Sequence, residues 1–195
     1  MRHEHEYSHL PILETERLLL RNLKLDDAAD LFEYASHPDV PKYNTWSVHK
    51  SIEDSKQYLH SIIAQYNNHE LAAWGIVHKA DNKLIGTCSL ASWIPSQARA
   101  ELGYALSKTY WGNGYMPEAV RPVLNFGFRM MQLNRIEAKC ITANLASARV
   151  MEKVGMRFEG ILRQHLFLKG SFHDLKVYSI LKQEWFKETP SRMRM

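Results

Sequence analysis

Cysteine is scarce in this chain. Cys88 and Cys140 are the only two, each inside an apolar run, so a disulfide framework is excluded and buried reduced thiols are expected. Long hydrophobic runs are missing too: nothing approaches the roughly 18 apolar residues of a membrane span. The opening Met1-Arg2-His3-Glu4-His5-Glu6 lacks the apolar centre of a secretory signal. Charge of one sign is not in large excess, with 25 Lys and Arg against 21 Asp and Glu and a net +4. The basic residues are dispersed, which argues against direct nucleic-acid binding. No internal repeat, low-complexity tract or Pro/Gly/Ser linker divides the chain. The compartment these absences predict is the cytoplasm.

What remains is an ordinary globular composition, 45% hydrophobic and 24% charged over 195 residues, enough for one domain with a substantial core. Residues 1–11 and 188–195 read as flexible ends around a single domain over 12–187. His3, His5 and His9 alternate with Glu and Tyr and fit a solvated arm better than a metal site, so no metal is expected.

Glu16 to Asn22 is a compact apolar run flanked by charge and predicts a strand. Asp26-Asp27 open a helical stretch through Tyr34, which ends at His37-Pro38 because a residue before proline avoids helical angles. Ser51 to Asn67 has helical periodicity, with Ser51 and Asp54 placed as a capping pair. Leu71–His78, Leu84–Ala91 and Ala100–Ser107, rich in aromatic and β-branched residues, predict an antiparallel meander. The period then returns to helical over Met116–Met131, with Pro117 and Glu118 in its first turn. Ile136–Ile141 predicts a strand and Ala146–Val154 a helix that Gly155 closes. A final hairpin, Phe158–Lys169 with Asp174–Leu181, turns at Lys169-Gly170. The sum is a mixed, mostly antiparallel α/β fold of about seven strands with four helices.

The sharpest local signal lies at the junction after Ala100–Ser107. A strand ends, Gly112-Asn113-Gly114 follows, and a helix starts at once. Free N–H groups and the positive dipole end of a helix suit a phosphate or pyrophosphate, and glycines let backbone approach it. The pattern is neither the dinucleotide fingerprint nor a P-loop. By itself a plain tight turn explains Gly-x-Gly as well as a ligand site does.

Tyr110-Trp111-Gly112-Asn113-Gly114-Tyr115-Met116-Pro117-Glu118-Ala119 resembles the coenzyme loop of the GNAT acetyltransferase superfamily, in the form of its ribosomal-protein N-terminal (RimJ/RimL-like) branch. Four more segments match in order. These are Leu13 to Arg21 (LETERLLLR), Ile85-Gly86-Thr87, Ala100-Glu101-Leu102-Gly103-Tyr104, and Asn144 to Met156. The ending from Glu159 to Leu181 is also similar, so the resemblance covers roughly residues 12 to 186.

The resemblance implies a GNAT fold with splayed central strands and acetyl-CoA as co-substrate, without a metal. Pantetheine is expected along the backbone at Ala105, Leu106 and Ser107. The pyrophosphate is expected on main-chain N–H groups of Trp111, Gly112, Asn113, Gly114, Tyr115 and Met116, and Asn144 should meet the pantetheine. Met116 stands where the family has Gly or Ala, so its side chain must turn into the core. The chemistry implied is direct attack of an amine on the thioester, with Glu101 as base and an N–H near Ala105 facing the oxyanion. A solvated Glu101, or one paired with Arg99, is the alternative. Ser147 is the candidate for the leaving thiolate, because Met151 replaces the Tyr that many members use. Cys140 is not expected to be a nucleophile. Tyr43 and Trp46, in the loop after the first helix, are the candidates for acceptor contacts. The acceptor implied is a protein N-terminal amine, ribosomal or other, with small amines or non-catalytic acyl-CoA binding as alternatives, and a homodimer as the branch's assembly.

Overall fold

The computed structural model describes residues 10–188 except residue 69. The three-histidine arm and the basic tail lie outside the described residues, although Leu10 is buried and the Pro11 carbonyl accepts Trp74 Nε1–H at 2.9 Å. Contacts cluster into two compact units. The first takes the described residues through Ala91 together with Gly103–Val123, and the second takes Ser92–Leu102 together with the described residues from Leu124 on.

In the first unit the strand order is β1 (Leu13–Glu14), β2 (Leu18–Asn22), β3 (Ala73–His78), β4 (Lys83–Ile94), β5 (Arg99–Leu106). The strand expected over Glu16–Asn22 is β2, and the short β1 precedes it. Thr15 N–H donates to the Leu18 carbonyl at 3.0 Å and folds the chain back, and a two-residue strand is too short to show any alternation. β2 runs antiparallel to β3 and β3 antiparallel to β4. All six residues of β3 are buried, which accounts for the run without charged or polar side chains from Ala73 to Val77.

Helices α1 (Ala28–Ala35) and α2 (Ile52–Asn67) belong to this unit. The start of α1 is held by the buried Asp27, whose carboxylate takes both Arg21 guanidinium N–H groups at 2.7 and 2.8 Å and the Lys24 N–H at 2.9 Å. At α2 the expected cap is present. The Asp54 carboxylate accepts the N–H of Ser51 at 3.0 Å and of Lys50 at 2.7 Å. Tyr66 on α2 ties the helix to two strands, accepting from Leu23 N–H and donating to the Ala73 carbonyl.

In the second unit the order is β5, β6 (Arg135–Ile141), β8 (Ser171–Leu181), β7 (Arg157–Leu168). Arg99–Glu101 of β5 run parallel to Arg135–Glu137, and β6 runs antiparallel to β8. β7 and β8 form the expected hairpin. Lys169 and Gly170 both have positive φ, 50° and 86°, as a two-residue turn matched to strand twist requires. Helix α3 (Tyr115–Arg129) contributes to both units, while α4 (Leu145–Lys153) and α5 (Lys182–Glu188) belong to the second. The mixed, mostly antiparallel α/β fold is as expected, with eight strands and five helices among the described residues against about seven and four. α5 was not anticipated because it follows β8 without a break. Its anchor is Trp185, buried against Phe128 at a ring separation of 6.2 Å.

Candidate active site

The Gly-x-Gly turn stands where β5 gives way to α3. Gly112 and Gly114 adopt φ of +81° and +79°, which a side chain would strain, and a Cβ at Gly112 would meet nothing within 4 Å. The main chain is therefore open to a ligand there, and the helix begins immediately at Tyr115. The Met116 side chain is buried, turned into the core as its bulk demands. Not every backbone group of the segment is available. The Trp111 N–H donates to the Lys108 carbonyl at 3.1 Å, and the Ser107 N–H donates to the Ile85 carbonyl at 2.7 Å. Trp111 contributes instead through its indole, whose Nε1–H donates to the Leu106 carbonyl at 2.8 Å and ties the loop to β5. That carbonyl keeps a second lone pair for a ligand.

Arg17 braces the same loop. Its guanidinium lies 4.2 Å over the Tyr115 ring, donates through Nη1 to the Asn113 carbonyl at 3.2 Å, and pairs with Glu118 at 2.5 Å. Glu118 in turn accepts Thr15 Oγ1–H at 2.6 Å and the Arg17 N–H at 3.0 Å. Burial would raise the Glu118 pKa, but these bonds outweigh it and hold the carboxyl below its usual range. Against Tyr115 also lies the His78 ring at 4.9 Å. The Asp81 carboxylate accepts Tyr110 O–H at 2.6 Å and sits 2.8 Å from His78 Nδ1.

Close approach of two strands sets the position of Ala105. A Cβ on Gly86 of β4 would stand 2.3 Å from the Ala105 carbonyl oxygen, so only glycine permits this spacing. Ala105 also lines a cavity of about 120 Å³ together with Leu31, Tyr34, Trp46, His49, Tyr58 and Thr87. Trp46 is thus a wall of a cavity, as the acceptor reading requires. Tyr43 is not among its walls, and its ring instead carries the Lys42 ammonium at 5.3 Å. His49 was not singled out from the sequence, since nothing in its local context marks a lone histidine in a loop.

In the second unit the Glu101 carboxylate pairs with Lys139 Nζ at 2.5 Å. The partner is not Arg99, which turns to Glu137 at 3.3 Å. Register explains this choice. Glu101 stands beside Glu137 on the parallel strands, and two such carboxylates need the cation two residues along, so Lys139 bridges them, reaching Glu137 at 3.2 Å. Arg135 extends the network to Glu159 at 2.6 Å.

Asn144 caps α4, its Oδ1 accepting the Ser147 N–H at 3.1 Å. What Asn144 retains for a ligand is its Nδ2 donor pair. Because Asn144 is the cap, the Ser147 hydroxyl is not spent there, and it hydrogen-bonds the Cys140 thiol. Burial pushes that thiol upward, which suits a structural cysteine better than a nucleophile. Met151 is fully buried, so the core takes the position where the family often has Tyr.

Comparison with known proteins agrees with this geometry. Residues 17–157 match the acetyltransferase (GNAT) domain family. The uncharacterized N-acetyltransferase YoaA of Bacillus subtilis is 36% identical over 172 residues, covering 88% of this chain and 97% of that protein. The crystal structure of a GNAT-family acetyltransferase from Bacillus anthracis is 30% identical, with a TM-score of 0.80 over 89% of this chain and 100% of that one. The ribosomal-protein-serine acetyltransferase of Escherichia coli is 29% identical over 99 residues, 51% of this chain and 55% of that protein. The family match over residues 17–157, together with 36% identity to YoaA over 88% of this chain, makes this chain a member of the GNAT family and an acetyl-CoA-dependent N-acetyltransferase.

Proposed function

We propose that the acceptor is the N-terminal amine of a protein, ribosomal or other, and that the amine attacks acetyl-CoA directly in a ternary complex. The observation that carries this is the cavity under Trp46, whose lining contains no Asp or Glu. A polyamine or aminoglycoside site needs carboxylates to hold additional ammonium groups, whereas a peptide N-terminus brings a single one. Similarity to the ribosomal-protein-serine acetyltransferase supports the same acceptor class. The proposal treats residues 12–187 as one acetyltransferase domain and the cytoplasm as its compartment, in keeping with two free, buried thiols. Among the described residues no helix is long and apolar enough to cross a membrane.

In this reading the pyrophosphate rests on the N–H groups of Gly112 to Met116 and the pantetheine on Ala105 to Ser107. Asn144 gives its Nδ2 donors to the pantetheine, and Ser147 turns its hydroxyl from Cys140 to the departing thiolate. Two protons leave the nitrogen between ammonium and amide. Glu101 takes the second, as the tetrahedral species collapses, and its Lys139 partner then keeps Glu137 as a counter-charge.

A thiol-release assay with ribosomal-protein N-terminal peptides and a panel of small amines tests the acceptor, and turnover confined to the small amines would set it aside. In the same assay Glu101→Gln is expected to lower turnover far more than coenzyme affinity. Equal turnover in mutant and parent would remove Glu101 from the mechanism. The assembly proposed is a homodimer, which the exposure of Phe167 at 60% and Phe172 at 63% on the β7–β8 hairpin supports. Sedimentation that finds only monomer at micromolar concentration would refute it.

A further inference from the structure

The loop between α1 and α2 brings His49 to the acceptor cavity, and its surroundings give the imidazole a defined role. His49 N–H donates to the Ala35 carbonyl at 3.1 Å, which pins the loop to the end of α1. Its Nδ1 lies 2.8 Å from the Ser55 hydroxyl, which is completely buried in α2. We assign the Nδ1–H tautomer, with that proton given to Ser55, so that the lone pair resides on Nε2, for which no hydrogen-bond partner exists among the described residues. The Trp46 ring stands edge-on at 5.7 Å and fixes the plane of the imidazole.

Besides the Trp46 indole, the other polar side chains of the cavity are hydroxyls. Tyr34 from α1 and Tyr58 from α2 both hydrogen-bond Thr87 of β4. Burial raises both phenols, so they stay neutral donors. Ala105 supplies the β5 side of the cavity. The one carboxylate acting on His49 is Asp54, at the α2 start, and it favours the charged ring. Burial, the larger effect, disfavours the charged ring and places His49 below the ordinary histidine range. The imidazole is therefore a neutral acceptor at neutral pH.

We infer that this cavity admits an α-amine, and that His49 Nε2 receives the proton the ammonium must lose before it can attack. The inference rests on the acetyltransferase reading above and narrows its acceptor. An α-amine has an ordinary pKa near 8 and a lysine-type or polyamine nitrogen near 10.4, so at pH 7 the free base is roughly several hundredfold rarer for the second class. A neutral histidine is matched to the first class and poorly matched to the second. The balance is complete without a further reactant. One proton passes from nitrogen to Nε2 and on to solvent. The freed nitrogen pair forms the N–C bond to the acetyl carbon, the C–S bond breaks with its pair on sulfur, and the second nitrogen proton is matched by the one that the thiolate gains.

The test is the pH profile of kcat/KM in the thiol-release assay, for the parent, His49→Gln and His49→Ala, with an α-amine peptide, a peptide whose only amine is a lysine side chain, and spermidine. The parent is expected to show an acidic limb, rate rising as the imidazole loses its proton, and at least a tenfold preference for the α-amine. His49→Gln should lose the limb and at least tenfold in rate at pH 7, with coenzyme affinity by calorimetry unchanged. Added imidazole should restore rate to His49→Ala, which a merely structural role would not allow. A parent-like limb in His49→Gln, or a parent preference for spermidine or the lysine side chain, overturns the inference while leaving the acetyltransferase reading intact. Coenzyme binding without turnover of any amine by the parent overturns both.

Discussion

Gly86→Ala is expected to be the most damaging single substitution in this protein. The added Cβ would stand 2.3 Å from the Ala105 carbonyl oxygen, 3.1 Å from the Leu106 Cα and 3.3 Å from the Ala105 carbonyl carbon. All three are backbone atoms of β5, so no side chain can rotate to make room. β5 must move away from β4, stretching the 2.7 Å bond from Ser107 N–H to the Ile85 carbonyl beside it. Overpacking of this kind costs about 2–3 kcal/mol, a large part of the stability of a domain this size. Activity should fall further than stability, because Ala105 forms a wall of the cavity proposed for the acceptor. Urea denaturation and the thiol-release assay read the two effects. Gly103→Ala is the control, since its Cβ meets only the Ser89 hydroxyl, at 3.3 Å, and should lose less than about 1 kcal/mol. Similar midpoints for Gly86→Ala and the parent would show that the close approach is not what sets the strand spacing.

Arg17→Leu is expected to raise the dissociation constant for coenzyme A about tenfold or more, equivalent to roughly 1.4 kcal/mol, with a much smaller effect on melting temperature. The guanidinium is the common partner of the Asn113 carbonyl, the Tyr115 ring and the Glu118 carboxylate. It thereby holds the glycine turn and the first turn of α3 in one arrangement. Without it the positive-φ turn samples more states, and the ordering is charged against binding. Stability should change little because the Arg17 side chain is 41% exposed, and exposed ion pairs contribute little. Arg17→Lys should rescue only in part. An ammonium supplies charge but not the planar fork that meets Glu118 through Nε at 2.7 Å and Nη2 at 2.5 Å. Calorimetric titration with coenzyme A checks both variants, and parent-like affinity in Arg17→Leu would show that the turn holds itself.

These two residues illustrate what was legible and what was not. Gly86 and Arg17 both fall in segments that resemble the family, yet their work is done by partners 19 and 101 positions away. Spacing along a chain records local needs. The glycines of the 112–114 turn, the Asp54 cap, the inward Met116 and the Lys169-Gly170 hairpin all answer to neighbours within a few residues, and the structure has them as anticipated. The missed elements, the two-residue β1 and the helix α5, carry no period long enough to be seen.

Side-chain partnership was the harder question. Whether Glu101 met solvent, Arg99 or another cation depended on which residue of β6 lay beside it, and that is a matter of strand register. With Glu137 alongside, Lys139 became the partner. His49 shows the same limit. In sequence it is one of ten histidines, and only the packing of two helices and two strands around one cavity gives it a buried Ser55 as partner and a place in the cavity lining. The fold class, the glycine turn at a helix start and the family were legible in the chain alone, because these are written in local periodicity, turn chemistry and ordered motifs. The tertiary structure alone decided which charges pair, which strand spacing forbids a methyl group and which histidine faces the cavity, because each of those depends on distances between segments far apart in the chain.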